Sequence, residues 1–314
     1  MRATDALAVR SLIQGNGPAA ELTAPNWPKT PPESQGASPF ELVKWSLIPR
    51  GGVVGIATTG SATVGLATAR PRASGLVWDV EHLLTTRLPE TSVELLRWTC
   101  ERAVEAGARR LFLETAEEGG GYEAASRSGF DQCTRGSVYV LGQGFAVDRT
   151  EAVPARPRLR SDEAGLFQLY NAAVPAPVRA AEALDNREWS ALYRGGKLWS
   201  PSLFGAQDYV WELGSRPVGW MHVVFGERAQ YLTLLVHPQS DSLTERMMRD
   251  ALGQVSAKAP VLIDAREYQT SLQDAVQELG FERAHDYVVW VRQLAQRVVE
   301  PAVAAVRAQP SSLA

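Results

Sequence analysis

The chain has little that could staple or clip a small fold together. Its 314 residues include only two cysteines, Cys100 and Cys133, too few for a disulfide framework and without the repeated spacing of a zinc site. Both read as buried thiols. No run reaches the roughly 18 apolar residues that a membrane span needs. Residues 1–13 mix Arg2, Asp5 and Arg10 with apolar residues, and so lack the continuous apolar stretch of a secretion signal. A cytoplasmic protein without membrane association is the expectation. Lysine is scarce as well, confined to Lys29, Lys44, Lys197 and Lys258, so arginine supplies most of the positive charge. Net charge is only -3, with a pI near 5.9, which gives no global pull toward nucleic acid; no nucleic-acid partner is expected.

What is present suffices for a conventional core. Hydrophobic residues make up 45% and charged residues 21% of the chain, an average globular balance that can bury a core without metal or disulfide. The length suits two domains of about 150 residues each.

Self-comparison is the most informative step, because a repeat changes the whole fold assignment. Gly60-Ser61-Ala62-Thr63-Val64-Gly65 matches Gly214-Ser215-Arg216-Pro217-Val218-Gly219, in both places a Gly-Ser turn between two strand-like runs. Glu81-His82-Leu83-Leu84-Thr85 parallels Leu232-Thr233-Leu234-Leu235-Val236, and a helical pattern follows each, over 92–106 and 243–257. Next come Leu111-Phe112-Leu113-Glu114 and Val261-Leu262-Ile263-Asp264, short apolar runs ending in a carboxylate, as buried strands do. The helices after them stop at Ser128-Gly129-Phe130 and Leu279-Gly280-Phe281, where glycine can supply a C-cap and phenylalanine can pack back on the core. A strand then closes each copy, over 137–141 and 287–291. The openings match too: Met1 to Asp5 resembles Leu159 to Glu163. The division expected is a first domain over 1–146, a Pro- and charge-rich linker over 147–157, a second domain over 158–293 and a tail over 294–314.

This order of strand, helices, hairpin, strand, helix, strand, helix, Gly-Phe and strand resembles the GCN5-related N-acetyltransferase family. The segments that carry the resemblance are Glu105 to Glu114 with Ser128-Gly129-Phe130, and Val261 to Asp264 with Leu279-Gly280-Phe281 and Val236-His237-Pro238. Together the copies cover nearly the whole chain. The resemblance implies an α/β fold, two tandem mixed and splayed sheets of the acyl-CoA N-acyltransferase type. Acetyl-CoA would lie in the splay, its pyrophosphate on backbone amides at the start of the helix after the fourth strand. The implied chemistry is transfer of an acyl group to an amine, with a base for the ammonium, an acid for the thiolate and no metal.

The family's phosphate loop, Arg/Gln-x-x-Gly-x-Gly/Ala, is missing from both copies. The matching segments read Arg87-Leu88-Pro89-Glu90-Thr91-Ser92 and Gln239-Ser240-Asp241-Ser242. Pro89 removes an amide donor and Glu90 places a negative charge where phosphate would sit. Thr91-x-x-Glu94 and Ser242-x-x-Glu245 fit the capping box, in which side chains satisfy a helix's own first amides. Both loops are therefore expected to be closed by the chain itself. If a cofactor site survives, its contacts are expected from Leu83, Leu84, Thr85, Arg87, Thr91 and Ser92 in the first copy and from Val236 and Ser242 in the second; Arg97 is a further phosphate candidate.

For catalysis, Asp79, Glu81 and Leu83 should alternate onto one strand face, with Glu81 as the candidate base and His82 turned the other way as a core histidine. The family's tyrosine before the Gly-Phe glycine is replaced by Ala125 and Val276, and Tyr122, about one helical turn earlier, is the candidate acid, or else a packing residue. Gly119-Gly120-Gly121 lacks nucleotide-loop spacing and reads as a turn. The aromatics Trp199, Phe204, Tyr209, Trp211 and Trp220 read as core packing or contact between copies. Two functions follow: an acetyl-CoA-dependent N-acyltransferase acting on an amine through one copy, or an inert binding or assembly module of the same fold with a protein partner.

Overall fold

The computed structural model describes residues 52–294 apart from 61, 73, 86–88, 149, 183–188, 190–204 and 227–228. Met1 to Asp5, Trp199, Phe204 and Arg87 thus lie outside the described residues. In the first repeat the hairpin β1 (Val53–Thr59) and β2 (Ala62–Pro71) leads to β3 (Val77–Thr85), α1 (Pro89–Glu105), β4 (Arg110–Ala116), α2 (Gly120–Arg127) and β5 (Asp131–Leu141). After a two-residue strand, β6 (Arg156–Pro157), and the helices α3 (Glu163–Ala173) and α4 (Ala176–Glu182), the second repeat runs through the hairpin β7 (Ala206–Leu213) and β8 (Arg216–Phe225), then β9 (Gln230–Val236), α5 (Thr244–Gly253), β10 (Val261–Arg266), α6 (Thr270–Glu278) and β11 (Glu282–Gln293). The recurrence read from the sequence is therefore a recurrence of elements.

Local chemistry explains the shared turns. Gly60 and Gly214 close the two hairpins at φ of 61° and 65°, a region that costs a side-chain-bearing residue about 1 kcal/mol or more. Gly129 and Gly280 take the same left-handed conformation past α2 and α6. There the amides of Phe130 and Phe281 reach back to the carbonyls of Ala125 and Val276, the long hydrogen bond of a Schellman cap, while both rings are buried.

One eleven-stranded sheet joins the repeats, in the order β1-β2-β3-β4-β11-β5-β10-β9-β8-β7-β6. The strands expected to close each copy have changed places: β11 pairs with β4, from Tyr287↔Ala116 to Gln293↔Arg110, and β5 pairs with β10, from Val261↔Leu141 to Arg266↔Gly136. In the middle β5 and β11 run antiparallel to one another. Their sequences suit this position, because Val138 to Leu141 and Val288 to Val291 can be buried on both faces of a covered sheet. Val288 and Trp290 of β11 enter the core built by α1 and α2, and Tyr139 and Leu141 of β5 enter the core of α5 and α6. Each such burial contributes about 1.5–3 kcal/mol, so each repeat's core depends on a strand from the other.

These four helices cover one face of the sheet. The opposite face carries α3, packed with Trp220, Val210 and Leu235, and a central cluster that includes Val77, Phe112, Val138, Leu262, Tyr287 and Val289. Trp211 and Trp220 are fully buried, in line with their reading as core. The segment 147–157 is docked rather than loose: Val147, Val153 and Ala155 pack on the second core, and Trp211 Nε1 donates to the Val153 carbonyl at 2.8 Å. Among the described residues no helix is long and apolar enough to cross a membrane.

Candidate functional site

The parallel strands β3 and β4 pair only at Val77↔Arg110, Trp78↔Leu111 and Asp79↔Phe112. Beyond Asp79 they part and leave a wedge. At the same point β3 bulges: Ala69 pairs with Val80 and Thr68 with His82, so Glu81 is an extra residue against β2. A bulge shifts side-chain alternation by one residue and re-aims the side chains at it. Two expectations change accordingly. Leu83 does not share a face with Asp79 and Glu81, since it packs in the core with Trp78 and Val80. His82 is not a core residue opposite Glu81; it is half-buried, turned to the same face, with Nδ1 at 3.1 Å from Thr68 Oγ1. Glu81 is buried and forms an ion pair with Arg70 Nε at 2.9 Å.

The remaining first-repeat candidates are spread over the end of β3 and the helices α1 and α2. Leu83 and Leu84 are fully buried. Thr85 Oγ1 lies 2.7 Å from Ser92 Oγ, which joins the end of β3 to the first turn of α1. The capping box expected of Thr91 and Glu94 does not form, because α1 already starts at Pro89. Proline's preset φ and missing N–H suit a first helical position, and Glu90 adds a favourable charge there. Thr91 is therefore inside the helix, its methyl against Gly65, where a Cβ would stand 3.0 Å from Thr91 Cγ2. Glu90 is exposed and 3.6 Å from Arg127, and Arg97 donates to the Arg127 carbonyl at 3.2 Å, the C-terminal end of α2. Tyr122 packs on the helix-covered face opposite Glu81, edge-on to Trp290 with centroids 4.9 Å apart, and its hydroxyl accepts from Gln132 Nε2 at 2.6 Å.

The second repeat has the same strands with a different outcome. β9 and β10 pair from Gln230↔Val261 to Thr233↔Asp264 and then part, but β9 follows β8 without a bulge from Gln230 to Val236. Across the gap stands Gln269, whose Nε2 donates to the Leu234 carbonyl at 2.8 Å while its Oε1 accepts from the Arg266 amide at 3.0 Å. One side-chain amide thus satisfies both parted strands. The residue matching Gln269 in the first repeat, Glu118, is exposed.

At the helix start, the capping box expected of Ser242 and Glu245 is absent. Ser242 is exposed in a 3-10 turn over Pro238–Leu243, and Glu245 pairs with Arg249 at 2.5 Å. Closure comes from His237, whose Nδ1 accepts from the Gln239 amide at 3.2 Å and whose carbonyl accepts from the Ser240 amide at 2.7 Å. Val236 is half-buried, packed on the second core and paired with Gly219.

A polar cluster lies where the repeats meet, on the face carrying Asp79. Arg72 grips Asp79 with two hydrogen bonds of 2.8 and 2.6 Å and lies over the Phe112 ring. Tyr287 of β11 crosses over Gly136 of β5, where a Cβ would collide with its ring and hydroxyl, and donates to Asp264. Arg266 stacks on that tyrosine, 3.6 Å from both Asp264 and Glu114. The side chains of Asp79, Glu114, Asp264 and Arg266 keep 14–22% exposure, so they line a recess that solvent reaches. Burial, reinforced by Asp264 and Asp79 and opposed by Arg266, pushes the Glu114 carboxyl up to about 7. Sequence reading found Glu114 and Asp264 as matching strand ends, but their meeting depends on the exchange of β5 and β11.

Comparison with solved structures settles the fold. A GCN5-related N-acetyltransferase from Sphaerobacter thermophilus matches over 82% of this chain and 86% of its own, with 13% identity and a TM-score of 0.56. A tandem GNAT protein from the clavulanic acid biosynthesis pathway matches over 85% and 91%, with 16% identity and a TM-score of 0.53. The fold is that of a tandem GCN5-related N-acetyltransferase. No protein-family model matches the chain, and no curated protein does.

That acetyltransferase fold implies acetyl-CoA, and the two wedges can be tested for it. The second does not fit, since Gln269 fills the gap between its strands and His237 takes an amide at the helix start. The first fits at the wedge: β3 and β4 part there, and the counterpart of Gln269 points to solvent. Its loop residue Arg87 lies outside the described residues. Among the described residues no group of His, Cys, Asp or Glu side chains is arranged to hold a metal ion.

Proposed function

We propose that the chain is an acyl-CoA-dependent N-acyltransferase in which the first repeat carries the working site and the second is a folded support. The observation that favours this reading is the asymmetry of the wedges: the first pairs an open gap with a bulge that aims Glu81 and His82 beside it, while the second is flat and bridged by Gln269. Bound acetyl-CoA would supply the activated acyl group. The chain's own residues do the rest. The edges of β3 beyond Asp79 and of β4 beyond Phe112 receive the ligand, with Leu83, Leu84, Thr85, Thr91 and Ser92 beneath it. Arg70 holds the Glu81 carboxylate as a fixed negative charge for the acceptor's ammonium, a preorganised electrostatic role. That ion pair suits an anchor better than a group that must take and release a proton, so Glu81 stays in the site with a changed part. Tyr122, its hydroxyl engaged by Gln132, keeps a packing role, and Val236 and Ser242 belong to the support half.

Titration calorimetry of the full chain with acetyl-CoA tests the reading, with one ligand per chain expected. A ligand at a hundred times its dissociation constant stabilises by about 2.7 kcal/mol, so a rise in melting temperature should accompany it. Glu81→Gln should still bind while release of free CoA in the presence of amines drops by about 100-fold. Absence of any binding heat or melting shift would remove the proposal. The alternative, an inert module, describes the second repeat well, because its wedge is closed by its own side chains.

A further inference from the structure

The recess at the seam of the two repeats holds several carboxylates, and they are not equivalent. Asp79 is held by two hydrogen bonds from Arg72, Glu81 by Arg70 at 2.9 Å, and Asp264 by the Tyr287 hydroxyl. Glu114 has no hydrogen bond among the described residues; its one close ionic neighbour is Arg266 at 3.6 Å, beyond hydrogen-bond reach. It stands on β4 two residues past the last pair with β3, at the mouth of the open wedge, and keeps 14% side-chain exposure.

A carboxylate with unused lone pairs, facing both solvent and the wedge, is built to exchange a proton. We propose that Glu114 takes the proton from the acceptor's ammonium, and that Arg266, contributed by the second repeat, is the positioning residue that holds its charge at the mouth of the wedge. The proposal rests on the acyltransferase reading above. In the step, an N–H bond of the ammonium breaks, an O–H bond forms on a Glu114 carboxyl oxygen, and the electron pair stays on nitrogen as the nucleophile. The proton later leaves to solvent through the exposed side of the recess.

The Tyr287 hydroxyl lies in the same cluster as Glu114, and the charges around Glu114 bear on this exchange. Arg266 favours its ionised form; Asp264 beside Arg266 and Asp79 on β3 oppose it, and Arg72 favours it. Burial is the largest influence, and with the two aspartates it outweighs the two arginines, so Glu114 titrates at about 7, where a general base works best at neutral pH. The second repeat's closed wedge has a use in this arrangement. Gln269, which bridges that wedge, accepts the Arg266 amide, and Gln273 donates to the Arg266 carbonyl, so the closing side chain also fixes the peptide that presents Arg266. The half that does not fit the cofactor thereby furnishes a residue to the half that does.

Carbon-13 NMR of glutamate-labelled full chain, free of acetyl-CoA, reads the carboxyl directly. One signal, absent in Glu114→Gln, should titrate near pH 7 and move upward in Arg266→Gln, with Arg266→Lys restoring most of the shift. With acetyl-CoA and a panel of primary amines, the acidic limb of the pH–rate profile should move in the same direction. Glu114→Gln should lose about 100-fold or more in rate with acetyl-CoA affinity unchanged. If Glu114 titrates near pH 4, or Arg266→Gln leaves its midpoint in place, the proposal fails. Unchanged turnover in Glu114→Gln with binding intact also defeats it while leaving the acyltransferase reading standing; loss of acetyl-CoA binding in the wild-type chain defeats that reading instead.

Discussion

The two repeats start from matching elements and end as unequal partners. In the first, a bulge interrupts β3 as it leaves β4, and the wedge between them has no side-chain bridge among the described residues. In the second, β9 runs straight and Gln269 ties it to β10. Parted parallel strands expose backbone groups that must find partners. The second repeat solves this with its own Gln269 side chain, and among the described residues the first has no such bridge. The difference teaches that a duplicated fold can keep its architecture in both halves while the local closure of matching strand ends differs.

The largest test of this picture concerns the exchanged strand, which makes the halves interdependent. Trp290 lies on β11, in the second repeat's sequence, yet is buried in the first repeat's core with Nε1 on Thr115 Oγ1 at 2.9 Å. Trp290→Ala should cost about 3–5 kcal/mol, and hydrogen exchange should show the loss of protection spreading along β4. Protection lost only around α5 and α6 would mean that the repeats fold independently. A somewhat smaller effect is expected from pH. Glu114 holds its proton in the folded chain up to about 7 but in the unfolded chain only to about 4.3. Between those values the folded state binds more protons, so its stability falls as pH rises, by on the order of 3 kcal/mol in total. Glu114→Gln should flatten that slope in urea titrations at pH 4.5 and 7.5; an unchanged slope would place the titration elsewhere.

Smallest is the effect of opening the closed wedge. Gln269→Ala removes two side-chain hydrogen bonds and should lower stability by about 1–3 kcal/mol. Acetyl-CoA stoichiometry should stay at one per chain, since His237 still takes the Gln239 amide. A second equivalent of ligand would show that Gln269 alone separates the repeats.

Much of the fold was legible because its signals are local. The glycines of both hairpins and of both helix ends require positive φ, and no distant contact alters that requirement. Helix starts were less legible: Thr91 and Ser242 carry capping patterns, yet Pro89 and His237 take over the beginnings of these segments. Several side-chain oxygens compete for the same few amides, and packing chooses among them. Glu81 was singled out as a candidate base on its strand, but its face and that of His82 depend on one extra residue in the pairing of β2 with β3. Glu114 was read only as the end of a buried strand, because its partner Arg266 arrives from the other repeat.

By itself, then, the sequence determined the elements, their duplication, the turns that join them and the loss of a glycine-rich phosphate loop, since each depends on residues a few positions apart. Tertiary structure alone decided which strand lies beside which, where the ladder bulges and which wedge is bridged by a side chain among the described residues. Those outcomes turn on register and on pairings between residues more than a hundred positions apart, such as Val289 with Glu114, whose energies are set by the assembled sheet and not by any single segment.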